Sequence, residues 1–249
     1  MKILVCISKT ADTTAKIAFT PDQKSFLETG VQFIINPYDE WYALVRAVEL
    51  KEQYPDTVLH LITVGGADTE SILRKALAIG GDAAFRVDLQ PIGIEQVATA
   101  IAAHVKQEGY DLIFTGKETI DYNGSGVGGY LAGLLDWPFI SLATRLTYDG
   151  KTVVVEREIE GGREIAETEL PLVVSCQKGM AEQRIPNMRG IMAARSKPLQ
   201  VMAAPQEASQ PAVQIDHFAL PPKKSGVHLV EPGNEEELVR LLHEEAKVI

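Results

Sequence analysis

The sequence predicts an α/β fold: a parallel sheet covered by helices on both faces, with an antiparallel hairpin extension and an extended C-terminal arm. Three observations carry this. Short apolar runs rich in β-branched residues, at 3–7, 58–64, 83–87 and 112–115, read as buried strands. Stretches with apolar residues at helical spacing alternate with them, the order that builds a parallel sheet through crossover connections. Beyond residue 139 the pattern changes to hairpins, with 142–148 and 152–159 flanking Asp149-Gly150.

In chain order, the first strand leads into a polar excursion at 10–30, where Ile17 and Phe19 lie to one side of a Pro21-Asp22 turn and predict a small hairpin. Asn36-Pro37 opens a helix whose inward face is Trp41, Leu44, Val45 and Val48, with Asp39 and Glu40 in the first turn where the dipole favours acids. Pro55-Asp56 breaks it. The second strand ends at Val64 and Gly65, and Asp68 is the expected N-cap of a helix carrying Ile72, Leu73, Leu77 and Ala78. A third strand precedes a helix at 92–108, marked by Val97, Ile101 and Val105. The fourth strand, 112–115, meets Gly116. A small-residue loop at 121–129 follows, then a helix with Leu131, Leu134 and Leu135. Gly161-Gly162 turns into a strand at 163–170, and 172–176 reads as a buried strand returning to the sheet, so the hairpins extend the sheet rather than form a separate domain. Residues 178–198 are a basic island holding Lys178, Arg184, Arg189, Arg195 and Lys197 among Met180, Ile185, Met188, Ile191 and Met192. Two readings stand for it: a solvated loop with a short packed helix, or a contact loop with an apolar anchor inside a charged rim. Prolines recur from 201 to 233, which predicts an arm, and helical spacing returns at 234–248 through Leu238, Leu241 and Leu242. That last helix fits a clasp on a partner subunit or a docked tail equally well.

The 249 residues are enough for one large domain with an arm. Lys and Arg total 24 against 34 Asp and Glu, a net charge of −10, which argues against nucleic-acid or anionic-membrane partners. Cys6 and Cys176 each sit in an apolar run and read as buried hydrophobes, and no CxxC or Cys/His cluster points to a metal. With strand character starting at Lys2 and no apolar stretch of membrane-spanning length, the expectation is a protein that is not membrane-embedded, in a reducing compartment such as a bacterial cytoplasm.

The chemistry-bearing feature is the order strand, small-residue loop, helix start across 111–138. It points backbone N–H groups and a helix N-terminus at a phosphate-sized space. The competing reading is a flexible glycine-rich surface loop, since neither a Walker pattern nor a GxGxxG after the first strand is present. The five histidines form no ligand-spaced pair, and no serine has a GxSxG context. Glu156, Glu158 and Glu160 alternate on one strand face, which fits an exposed hairpin rim better than paired catalytic carboxylates. A phosphate site without a nucleophile, acid–base pair or metal favours a binding or carrier subunit over a self-contained enzyme.

Several segments in this order carry a resemblance: MKILVCISK at the start, NPYDE from Asn36, the run from Gly65 through DTESILRKALAIGGDAAFRV, GKETID from Gly116, LDWP from Leu135, VEREIEGG from Val155 and RIPNMRGIMAARSKP from Arg184. Together they resemble the beta subunit of electron transfer flavoprotein over nearly the whole chain. The resemblance implies a Rossmann-like sheet of the adenine nucleotide alpha hydrolase-like type over 1–198, including a recognition loop at 178–198, and an arm at 199–249 that contacts an alpha subunit. It implies FAD, held mainly by the alpha subunit and shared at the interface, and a buried AMP in this subunit, replaced by a second FAD in electron-bifurcating relatives. Electrons would come from flavoprotein dehydrogenases, commonly the acyl-CoA dehydrogenases of fatty acid oxidation, and pass to a quinone oxidoreductase or a similar acceptor. The nucleotide contacts it carries over are Cys6, Ile7, Ser8, Asn36, Val64, Gly65, Asp121, Gly124, Ser125, Gly126, Val127 and Gly128. Tyr38 matches an aromatic beside the flavin ring, and Thr13 stands where some members have a second one. In the recognition loop Met188 stands where relatives carry an anchoring leucine, beside Ile191, with Arg184, Arg189, Arg195 and Lys197 as the rim. The rival reading is a stand-alone adenine-nucleotide-binding module with no redox role.

Overall fold

A computed structural model of the chain describes residues 1–208, 210–223 and 226–249. Six strands run parallel at its centre: β1 (Lys2–Cys6), β4 (Val58–Val64), β5 (Ala83–Asp88), β6 (Leu112–Gly116), β10 (Leu172–Cys176) and β11 (Leu199–Ala203). β7 (Phe139–Tyr148) joins β10 in parallel, then pairs antiparallel with β8 (Thr152–Ile159), which pairs with β9 (Gly162–Glu169). The order is β11-β5-β4-β1-β6-β10-β7-β8-β9, a Rossmann-like sheet with the hairpins as a continuation of it. Two short strands, β2 (Lys9–Ala11) and β3 (Phe33–Ile35), pair separately at the root of the polar excursion.

The period-two alternation of the strands feeds two cores. Ile3 and Val5 of β1, Leu59 and Leu61 of β4, and Leu112 and Phe114 of β6 point to one face, packing on α1 (Asp39–Gln53) and α2 (Glu70–Ile79). Leu4, Cys6, Ile62 and Ile113 point to the other, packing on α3 (Ile94–Glu108) and α4 (Val127–Leu135). Each such side chain contributes roughly 1.5–3 kcal/mol by leaving water, which is why the strands read as near-continuous apolar runs. β1 is flanked by β4 on one side and β6 on the other, so the strand order reverses there and a crevice opens at their carboxyl ends.

Four local expectations are corrected. Asp68 does not cap α2: residues Ala67–Thr69 form a 3-10 turn, Thr69 stands at the N-cap without a side-chain bond, and Asp68 pairs with Lys9 instead. Residues 199–203, read as the start of the arm, are a strand along β5, because the prolines that signal an arm begin only beyond it. β7 starts at Phe139, earlier than the hairpin pattern suggests, and bends at Leu142, where φ is 59°. The terminal helix is short: α6 (Glu235–Arg240) passes into a wider π turn at Leu241–Glu245, and its leucines are not buried.

The basic island contains α5 (Met188–Ala194), capped by the Asn187 side chain, which accepts from Gly190 N at 2.8 Å. After β11 the chain returns over the molecule. Gln96 donates to Ala208 O at 2.8 Å, Ala212 N donates to Glu95 at 3.0 Å, and Phe218 stacks on Phe19 with ring centroids 5.2 Å apart. Residues 209, 224 and 225 of the predicted arm lie outside the described residues.

Candidate nucleotide crevice and basic island

Register brings the predicted residues level. Cys6 pairs with Ile62 and Val5 with Phe114, so Ser8, the Val64–Gly65 exit and residue 117 leave the sheet side by side. Cys6 is buried and its thiol is pushed well above its ordinary range by burial, which makes it an inert wall. Gly65 is held by the neighbouring strand: its N–H donates to Val87 O at 3.0 Å and its carbonyl accepts from the buried Arg86 at 2.9 Å. A Cβ at Gly65 would fall 2.5 Å from Thr69 Cγ2, so the chain there needs glycine to pass the 3-10 turn.

The start of α1 ties these exits together. Asn36 is fully buried; its Nδ2 donates to Glu118 O at 2.7 Å and its Oδ1 accepts from Ile120 N at 3.1 Å. Asp39 accepts from Glu118 N at 3.2 Å, and burial raises its carboxyl. Glu40 reaches the other way and accepts from both Ser8 N and Ser8 Oγ, each at 2.6 Å. Burial pushes the Glu40 carboxyl up to about 8, with the charges of Asp121 and Asp39 adding to it and the Ser8 bonds opposing. The sequence offered Asn36 as a ligand contact and the two acids as dipole partners of a helix. All three side chains bond loop segments in the structure, and two acids after Asn-Pro-Tyr were the written trace of it.

The loop after β6 has the geometry of an anion cradle. Asn123 and Ser125 are left-handed, with φ of 49° and 48°, and Gly126 is right-handed, an alternation that turns successive N–H groups into one concavity. The first bond inside α4 runs from Tyr130 N to Gly126 O at 3.0 Å, so the N–H groups of Val127, Gly128 and Gly129 have no partner within the helix. Beneath them the Thr115 hydroxyl is buried without a partner, 2.9 Å from where a Cβ on Gly128 would stand. A Cβ at Gly126 would overlap Ile94. These features suit a phosphate bound by main-chain donors. The Ser125 hydroxyl donates to Glu118 at 2.9 Å, and Glu118 also pairs with Lys117 at 3.0 Å, which together hold its carboxyl below the usual range. Asp121 is exposed, and its side chain accepts from Tyr122 N at 2.9 Å.

Tyr38 lies apart from this cradle. It is half exposed and lines a cavity of about 330 Å³ with Asp39, Lys117, Glu118, Ile120, Glu158, Gln177 and Lys178. Lys117, Glu118 and Ile120 line the Tyr38 cavity, and Glu118 also bonds Ser125 of the cradle loop, so this stretch touches both. Among the described residues no group of three or more His, Cys, Asp or Glu is arranged to hold a metal.

In the basic island Ile185, Met188 and Met192 are 85%, 73% and 56% exposed, an apolar ridge on the surface. Ile191, Arg189 and Arg195 share that exposed helix and its end. Arg184 and Lys197 do not stand free. Arg184 pairs with Glu52 at 2.7 Å and Glu49 at 3.7 Å, while Lys197 Nζ donates to Leu77 O at 2.9 Å and burial lowers its pKa.

The sheet and crevice define a Rossmann-like α/β protein with an anion cradle beside its switch point and no metal cluster among the described residues. Comparison with known proteins narrows that class. The family model for the electron transfer flavoprotein domain matches residues 24–207. A Bacillus subtilis protein named electron transfer flavoprotein subunit beta is 37% identical over 261 residues, covering 100% of both chains. Proteins of the same name are 34% identical in Syntrophomonas wolfei, over 90% of this chain and 88% of theirs, and 32% identical in mouse, over 100% and 99%. The chain belongs to the electron transfer flavoprotein beta-subunit family, and so to electron transport by flavoproteins. None of the described helices is long and apolar enough to cross a membrane.

Proposed function

We propose that the chain is the beta subunit of a heterodimeric electron transfer flavoprotein, holding AMP in the crevice and lending Tyr38 to an FAD that a larger alpha subunit mainly binds. The observation that carries this is the stretch at 117–120, which lines the Tyr38 cavity and bonds the cradle loop through Glu118, while Asn36 and Asp39 brace it from one helix start. Bound FAD would supply the redox chemistry. This chain's own groups do the rest. Val127 and Gly128 N–H hold phosphate, Ser8 and Gly65 line the adenylate's other end, and Tyr38 covers one side of the flavin. Electrons would arrive from a flavoprotein dehydrogenase, an acyl-CoA dehydrogenase by family habit, docked on the Met188 ridge, with Ile191 beside it and Arg189 and Arg195 as the free rim. They would leave to a quinone oxidoreductase or a similar acceptor. The arm beyond residue 203 would contact the alpha subunit. Buried free thiols at Cys6 and Cys176 and similarity to bacterial relatives support a bacterial cytoplasmic setting.

The test is denaturing release of ligands from the co-purified pair, counting AMP and FAD per dimer. AMP and FAD in equal amounts support the reading. Two FAD and no AMP would make the subunit a bifurcating one. A colourless monomer carrying only an adenine nucleotide would overturn it in favour of the stand-alone module.

A further inference from the structure

We infer that Glu40 is the positioning residue that holds Ser8 in the nucleotide crevice, and that through it nucleotide binding is coupled to uptake of a proton. This rests on the nucleotide reading of the crevice.

Both carboxyl oxygens of Glu40 are committed to Ser8, one to its N–H and one to its hydroxyl, at 2.6 Å each, and the residue is 4% exposed. The exit of β6 runs directly over it, since a Cβ on Gly116 would fall 2.8 Å from Glu40 Cγ. The side chain is therefore locked between the two strand ends that border the crevice. Its charged and titratable surroundings are Asp39 on its own helix, the Cys6 thiol on β1 and Asp121 in the loop, and Asp39 in turn feels Lys117 and Glu118 beyond β6. Lys117 is the cation of this group, and its charge is matched by Glu118 at 3.0 Å. Burial already makes the carboxyl hold its proton up to about pH 8.

A nucleotide phosphate held on the loop beyond Asp121 adds negative charge where Asp121 already acts on Glu40 across the crevice. Like charge disfavours the ionised carboxyl, so bound nucleotide and bound proton favour each other, and the coupling is reciprocal. When protonated, Glu40 donates from one oxygen to Ser8 Oγ and still accepts Ser8 N–H with the other. The clamp is kept while the charge is removed. The sign follows: AMP binds more tightly below the carboxyl's pKa and more weakly as pH rises through it.

The experiment is calorimetric titration of AMP into the assembled heterodimer after its nucleotide has been removed, at pH 7 and pH 9, in pairs of buffers with different ionisation enthalpies. The native protein should take up protons on binding near pH 8, and its affinity should fall by about three- to tenfold across that range, since each unit of coupled shift is tenfold. Glu40→Gln, an amide of the same shape that keeps both Ser8 partners, should change by less than about twofold, and Ser8→Ala should bind AMP more weakly at both pH values. AMP binding without proton uptake by the native protein overturns the inference and leaves the nucleotide site standing, as does an equal pH slope in Glu40→Gln. Failure of the native heterodimer to bind AMP at all overturns the crevice reading and this inference with it. Because the proton count is made on the native protein, it decides the matter even where the variant does not fold.

Discussion

The indole Nε1 of Trp41 donates to the carbonyl oxygen of Arg184 at 3.2 Å, tying α1 to the entrance of the basic island. At the other end Arg74 of α2 donates to Ala194 O at 2.8 Å and Lys197 O at 2.6 Å. The exposed ridge between these points is thus pinned at both ends while its apolar tips face water. Trp41→Phe keeps a packed ring and removes the bond, for a loss of about 1 kcal/mol. It should speed tryptic cleavage within 184–197 and leave AMP content unchanged. Cleavage at the native rate would show that the bond does not hold the segment.

Met188 packs on nothing that stability depends on, being 73% exposed. Met188→Ala should leave the unfolding free energy within about 0.5 kcal/mol of native. It should weaken coupling to the donor dehydrogenase at low complex concentration, with flavin content unaltered. Titration of reduced dehydrogenase with purified complex measures this, and unchanged coupling would remove Met188 as the anchor.

Two glycines give opposite outcomes. A Cβ on Gly190 would overlap the backbone carbonyl of Ala78, so Gly190→Ala must lift α5 off α2, at a cost of about 1–3 kcal/mol. Gly133, within α4, has open space around it, and Gly133→Ala should stabilise the helix by roughly 0.5–1 kcal/mol. Chemical denaturation of the two variants should give shifts of opposite sign.

Tyr110 shares its hydroxyl between His60 Nδ1 and His104 Nε2, each at 2.9 Å, in the core under α3. Burial lowers His104 to about 4. A base depressed in the folded state gives stability that is full above the unfolded value of about 6.5 and is lost as pH falls towards 4. Melting temperature should therefore drop between those pH values, and His104→Gln should flatten that drop. An unchanged acid limb in the variant would assign the loss to other groups.

The arm is held on the polar excursion by the Phe19–Phe218 stack and by Phe218 N, which donates to Gln23 O at 2.8 Å. Phe218→Ala should lose about 0.5–1.5 kcal/mol of local stability. The measurable result is faster amide exchange at residue 218 and its neighbours, with exchange in β1 and β4 unaltered.

Much of the architecture was written in the chain. Ile3, Leu4, Val5 and Cys6 alternate between two cores, and the runs around Leu59 and Ile113 do the same, so a sheet buried on both faces follows from local pattern. Ser125 shows the limit: its place in a glycine loop is legible in the chain, whereas its bond to Glu118 is fixed only by how the loop folds back. The strand at Leu199–Ala203 was hidden because it is an edge strand with exposed positions, which carries no strong apolar period.

By itself the sequence determined the order of most strands and helices, which faces are buried and where a glycine-rich turn meets a helix start, because these depend on periodicities of two and 3.6 residues within a few turns of chain. The tertiary structure alone decided which charges remain available. Glu40 is taken by Ser8, Arg184 by Glu52 and Lys197 by Leu77 O, pairs separated by 32, 132 and 120 residues. Hydrogen bonds of that kind exist only once strand register has set the loop ends level and helix packing has brought the partners within reach.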